Sequence, residues 1–379
     1  MTRFTRRQAL TLLGGSAVAA ACAGQTPGPV SPEGVAGTDA FVPLHELAQA
    51  KGLRFGTAMS AGQLDDLRYL EIVRRECGVL VAENAHKLYT ILPQPDAWNF
   101  APGDALADFA QDNGLGMRGH TLIWSHPRWL PDWLNETEFA TAGEAEAFLD
   151  SYIGRVAGRY SPFIYSWDAI NEAVDPATGE LRETPFTRAM GPEAIDYAFF
   201  AAKEAAPGAT LAYNDYMSWE GGHETHRTGV LRLLERLISN GAPIDALGIQ
   251  SHSNEDMPNE YTPEKQRAWR AFVDEVVGMG LDIYLTEFDV NDTDLGPDIE
   301  MRDRLIASYT RDYLDLMLSY PQTKELLAWG MVDKHSWLQG FMPREDDVEK
   351  RPTLYDSNYQ AKPMREAVAA ALRAAPDRA

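Results

Sequence analysis

The chain has 379 residues, 45% of them apolar, and a formal net charge of −22. One large domain with a sizeable core fits that length. A surface this acidic repels nucleic acid and anionic membranes, so neither is expected as a partner through the folded surface.

The first 22 residues read as an address. A basic start precedes a short apolar run from Ala9 to Ala21, too short and small-sided to span a membrane. Thr5-Arg6-Arg7-Gln8-Ala9-Leu10 is similar to a twin-arginine export signal, a route that carries proteins already folded. Export to the periplasm or beyond is therefore expected. Ala19-Ala20-Ala21-Cys22 fits either lipidation of Cys22, which would anchor the chain to a membrane, or ordinary cleavage. Residues 23–40, rich in Gly, Pro and Ala, read as a flexible tether. With Cys22 in the signal, Cys77 stands alone in the folded part and is expected in the core as a small apolar residue.

From residue 41 to 379 short β-rich runs alternate with helical patterns. Strands are expected at Arg54–Met59, Val79–Asn84, Met117–Trp124, Ser166–Glu172, Thr210–Tyr216, Ala246–His252, Asp282–Val290 and Leu326–Asp333. Helices are expected at Glu144–Arg159, Glu193–Ala206, Thr228–Asn240, Pro263–Met279 and Arg302–Ser319. Eight parallel βα units suggest a (β/α)8 barrel in a single catalytic domain. The rival, a doubly wound sheet, would place a Gly-rich phosphate loop after the first strand, and Arg54–Ser60 reads RFGTAMS.

Polar and aromatic residues crowd the C-terminal ends of the expected strands: Glu83-Asn84, His120 with Trp124, Asn171-Glu172, Asn214-Asp215-Tyr216, Gln250-Ser251-His252, Glu287 with Asp289, and Trp329 with Asp333. In a closed barrel these ends share one rim, where such folds build their sites. Glu172 and Glu287, at the ends of strands four and seven, are the candidate pair of carboxyl groups for glycosidic bond hydrolysis. One would protonate the leaving oxygen and the other would attack the sugar, ~5–5.5 Å apart if the configuration is retained. Glu287 and Asp289 share a strand face, and two carboxylates that close need a donor between them. His252 is the candidate donor, and Asn171 is placed to bond a sugar hydroxyl. His223-Glu224-Thr225-His226 lacks the zinc-protease spacing and reads as the start of a surface helix. Asp289, Asp292 and Asp294 lack the spacing and Gly of a calcium loop. No metal or organic cofactor is expected.

Three motifs carry a family resemblance. Arg118–Trp124 (RGHTLIW), Trp167–Val174 (WDAINEAV) and Leu285–Val290 (LTEFDV) are similar to the third-strand, acid/base and nucleophile motifs of glycoside hydrolase family 10, the endo-β-1,4-xylanases. Tyr213–Tyr216, Gly248–His252, Trp329–Trp337 and Asp356–Pro363 resemble further segments, and the likeness runs from about residue 50 to 372. It implies a retaining endo-1,4-β-xylanase acting on xylan and xylooligosaccharides as a monomer. Glu172 would be the acid/base and Glu287 the nucleophile, supported by Asn171, His252 and Asp289. Glu83, Asn84 and Lys87 would grip the xylose two sites upstream of the cut. His120, Trp124, Gln250 and Trp329 would line the cut, with Trp337 over the upstream sugars and Tyr216 facing downstream. Two departures stand out: a small insertion after Trp124 (Ser125-His126-Pro127-Arg128), and Leu88 after Lys87 where the family often has an aromatic. The alternatives are another retaining β-1,4-glycanase, such as a cellulase or mixed-linkage glucanase, or a non-catalytic glycan-binding barrel. A barrel metal hydrolase would need more clustered His ligands than His120 and His252.

Overall fold

The computed structural model describes residues 41–253 and 261–378. The export signal, Cys22 and the tether lie outside the described residues. Among the described residues ten strands form: β1 Arg54–Met59, β2 Val79–Ala82, β3 Gly116–Gly119, β4 Ile123–Trp124, β5 Ile164–Asn171, β6 Thr210–Asp215, β7 Ala246–Ile249, β8 His252–Ser253, β9 Asp282–Val290 and β10 Thr323–Ala328. All their pairings are parallel. The order β1-β2-β3-β5-β6-β7-β9-β10 closes because β10 pairs with both β9 and β1. The two short strands, β4 and β8, continue staves three and six beyond a break. The result is a closed eight-stave barrel with helices outside, a (β/α)8 fold.

The first and seventh strands match their expected limits, and the differences elsewhere fall at both ends of the staves. The third stave breaks after Gly119 and resumes at Ile123, and the sixth breaks at Gln250-Ser251, where Ser251 has φ 62°. The eighth starts earlier than expected, at Thr323, and stops at Ala328. Trp329–Asp333 leaves the sheet through Gly330 at φ 93°. The apolar count of that run, Trp329-Gly330-Met331-Val332, imitated a strand. Helix limits shift for a local reason: Asp298 accepts from the Met301 amide and starts the helix Ile299–Met317 three residues before Arg302. Thr141 and Thr262 cap the helices Ala142–Tyr160 and Pro263–Gly278 in the same way.

Inside the barrel, side chains fill the space in layers. At Gly119 an added Cβ would meet the Trp167 ring at 2.1 Å, so only glycine lets that buried indole cross. Lower in the barrel, Arg118 is fully buried and pairs with Asp168 and, at 3.5 Å, with Glu325. Buried charge is tolerated here because it is matched. Cys77 is buried and unpaired, as expected for a small core residue. Trp269 docks the helix Pro263–Gly278. It is buried, stacks on Phe272 at 5.1 Å, and its indole Nε1 lies 3.1 Å from Met317 Sδ. Trp269→Ala should cost about 3–5 kcal/mol in urea unfolding, the usual penalty for emptying an aromatic site. A loss under about 1 kcal/mol would mean that this helix is not tightly docked.

Candidate active site

The staves bring together, from seven loops and strand ends, residues that are far apart in the chain. Glu83, Asn84, Lys87, His120, Trp124, Asn171, Glu172, Tyr216, Gln250, His252, Glu287, Trp329 and Trp337 all line one cavity of about 720 Å³ at the C-terminal rim. Asp289 lies behind it, against His252 and Trp337.

Strand register does the positioning. Asn171 pairs with Asn214, and Asn214 with Gly248. A Cβ on Gly248 would sit 2.3 Å from Asn214 Oδ1, so the glycine makes room for that amide. Asn214 Nδ2 then donates to Glu287 Oε1 at 2.8 Å and contacts Asn171 at 2.9 Å, while its oxygen accepts from the Thr286 hydroxyl at 2.6 Å. On the other side, Gln250 Nε2 donates to Glu172 Oε1 at 2.9 Å. Side-chain amides thus link the two carboxyl groups. Glu172 has φ 55°, a backbone region that non-glycine residues seldom occupy. Its amide donates to the Asn214 carbonyl at 2.9 Å, which carries this strained turn out of β5.

The two glutamates are tuned in opposite directions. Glu172 is only 7% exposed. Burial, and then the charge of Asp215, push its carboxyl from the ordinary 4.5 up to about 7, against hydrogen bonds from Gln250 and Trp124. Glu287 is 4% exposed, and burial alone would raise it too. The field of His120, the bond and charge of His252, and Lys87 outweigh that burial and hold it at about 2. His252 pairs in register with Asp289 across β8 and β9. Its Nδ1 meets Asp289 Oδ1 at 2.8 Å and its Nε2 meets Glu287 Oε2 at 3.1 Å. Burial opposes the imidazolium, but these two carboxylates lift it to about 10, so it stays charged and donates at neutral pH. Asp289 also accepts from Trp337 Nε1 at 2.8 Å. His120 lies between Asp168 Oδ2, at 2.8 Å, and Glu287 Oε1, at 3.9 Å.

His252→Asn removes the charged donor from Glu287. The acidic limb of the kcat/KM–pH profile should then move upward from about 2, and a limb that stays in place would refute this role for His252.

One wall of the cavity holds Lys87, buried, with Nζ 3.1 Å from Asn84 Oδ1 and 4.5 Å from the Trp124 ring centre. Beside Glu172, Tyr216 Oη accepts from Arg182 at 2.7 Å, and Arg182 also holds the Glu172 carbonyl at 3.1 Å.

Sequence reading passed over several groups here. Asn214 and Asp215 were visible as a polar strand end but were assigned no role. Tyr89 was missed. Leu88 turns into the core, and the next residue takes the cavity-facing place, its hydroxyl donating to Asn84 at 2.7 Å. Asp168, whose signal was its place three residues before Asn171 in the same motif, anchors both Arg118 and His120. Two expectations need correction. The segment from His223 does start a helix, Glu224–Ser239, yet His226 is fully buried, 3.2 Å from Asp215, because that helix face packs on the barrel. Asp333, grouped with the rim, is buried in an ion pair with Lys362 at 2.9 Å and plays a structural part. Asp292 is likewise committed, to buried Arg302. Among the described residues no group of His, Cys, Asp or Glu is arranged to hold a metal ion, and no helix is long and apolar enough to cross a membrane.

A closed barrel whose rim opposes a carboxyl held protonated to one held ionised, inside a sugar-sized cleft lined with indoles, belongs to the glycoside hydrolases. Comparison with known proteins places it within them. The family model for glycosyl hydrolase family 10 matches residues 43–371, and the chain belongs to that family. It is 31% identical over 325 residues to endo-1,4-beta-xylanase B of Thermotoga neapolitana, covering 85% of this chain and 89% of that one. It is 32% identical to endo-1,4-beta-xylanase 1 of Humicola insolens, covering 87% and 74%. Among solved structures, xylanase 10B of Thermotoga petrophila in complex with xylobiose superposes with a TM-score of 0.79 at 32% identity, covering 89% and 98%.

Proposed function

We propose that the chain is a retaining endo-1,4-β-xylanase that cuts internal β-1,4 bonds of xylan by double displacement. The observation that carries this reading is the opposed tuning of Glu172 and Glu287 across one cleft. Near neutral pH or below, Glu172 holds the proton that the leaving oxygen needs, and Glu287 is the ionised nucleophile. After the first step Glu172, now ionised, takes a proton from the water that releases the sugar. His252 holds Glu287 in its charged form, and Asn214 fixes its other oxygen. No step calls for a metal or organic cofactor.

The family membership and the xylobiose complex of a relative support xylan as substrate. Xylose lacks the hydroxymethyl group of glucose, and Trp337, fixed by Asp289 and packed on His252 at 5.0 Å, makes a firm wall against the upstream sugars. Action as a monomer is part of the same proposal, with the cavity lining named above all drawn from one chain. The twin-arginine-like start supports export to the periplasm or beyond, with Cys22 either lipidated or lost on cleavage.

Product analysis on xylan and on cellulose, with the anomer followed by NMR, tests the reading. β-Xylooligosaccharides should appear first. α-Products would mean inversion and overturn the nucleophile assignment, and turnover of cellulose alone would keep the chemistry and change the substrate.

A further inference from the structure

The loop lengthened after Trp124 is held at its base by Asn135, whose side chain donates to the Pro127 carbonyl, and its tip reaches away across the rim. Trp129 stacks on Trp124, with ring centres 5.0 Å apart, and carries Arg128 over its face at 4.7 Å. The same guanidinium reaches Phe341, 5.7 Å away, on the loop that follows the eighth stave. Phe341 in turn packs on Trp337 at 4.9 Å.

Loops from the third and eighth staves therefore touch across the rim. The sheet order puts β1 and β2 between those staves. That sector carries Glu83, Asn84 and Lys87, the upstream sugar contacts. The circuit closes beneath as well. Trp337 meets His252, His252 meets Trp329 at 6.1 Å, and Lys87 spans from Trp329, at 5.7 Å, to Trp124, at 4.5 Å. The Arg128–Phe341 contact bridges the rim over that sector. A cleft narrowed on its upstream side takes the end of a chain more readily than its middle.

We propose that Arg128 and Phe341 form a clasp that caps the upstream arm of the cleft, so that the favoured internal bond is the one two xylose units in from the non-reducing end. This rests on the xylanase reading and adds the register of the cut. A cation–π contact at an exposed site is weak, so the clasp opens, and mid-chain entry persists as the slower route. Both residues line the cavity without a hydrogen bond or ion pair to either glutamate. Their removal alters which bond is cut and leaves the chemistry as it was.

The test compares the wild type with the double variant Arg128→Ala/Phe341→Ala on two substrates. An aryl β-xylobioside reports the chemistry alone. Xylohexaose labelled with ¹⁸O at its reducing end, analysed by mass spectrometry at early times, reports the register. The wild type should release mainly unlabelled xylobiose with labelled xylotetraose. In the variant, unlabelled xylotriose and xylotetraose should rise roughly ten-fold relative to xylobiose, while the xylobioside rate is unchanged. An identical cut pattern in both proteins would overturn the clasp. So would a wild type without bias, or a variant with lower kcat/KM on the hexaose and the same pattern, which would make these residues a sugar platform. Failure of the wild type on the xylobioside would instead defeat the xylanase reading itself.

Discussion

Glu287→Gly should lower turnover of every substrate by on the order of 10⁵-fold, whatever the leaving group. The reason lies in what surrounds the carboxylate. Asn214, His252, His120 and Lys87 are all turned toward it and hold it ionised, so no neighbouring group carries a free pair of electrons to the same place. Deletion also leaves a pocket of the right size and charge for a small anion. Added azide should therefore restore turnover of an aryl β-xylobioside and yield the α-configured glycosyl azide. The α product follows because azide would attack once, from the face that Glu287 occupied. A variant that keeps more than about a hundredth of wild-type activity without azide would remove Glu287 from the nucleophile's role.

Glu172→Ala should separate substrates by leaving group. On xylan, whose leaving hydroxyl needs a proton, kcat should fall by about 10²–10⁴, the range for loss of a positioned acid. With a dinitrophenyl leaving group the first step needs no proton and should barely change. The second step, which needs a base, should slow, so a burst and a low KM are expected. Azide should here give the β-configured product, the opposite of the Glu287 variant. The alkaline limb near pH 7 should vanish from the xylan profile, because the group whose ionisation causes it is gone. Equal losses on both substrates would rule out proton donation.

The same residue makes a stability prediction with a definite sign. The folded-state value of Glu172 is raised, so the folded protein keeps a proton that the unfolded chain loses above 4.5. Its contribution is therefore most favourable below 4.5 and is lost as pH rises through about 7. That gap, at about 1.4 kcal/mol per pH unit, amounts to about 3 kcal/mol. Glu172→Gln should stabilise the protein above pH 7 by up to that amount and leave it nearly unchanged below pH 4.5.

Most of the architecture was legible because barrel strands are buried on both faces and read as apolar runs between amphipathic helices. Arg54–Met59 and Asp282–Val290 were delimited to the residue. Where runs continued past their hydrogen-bonding partners, as in Trp329–Val332 and at Gln250-Ser251, composition could not show the break, because the chain stays apolar or polar for reasons of packing at the rim. The insertion after Trp124 was visible as extra residues, but its reach to Phe341 was not.

The sequence by itself determined the strand and helix order, the polar strand ends and the two glutamates in their motifs, since each depends on residues near in the chain. Only the tertiary structure decided what those groups become. Stave register set Asn214 between Asn171 and Gly248 and His252 beside Asp289. Burial then acted on Glu172 and Glu287 alike, and the charges facing each one sent them apart. A carboxyl group's affinity for its proton is set by the field of its neighbours in space, and those neighbours come from other staves of the barrel.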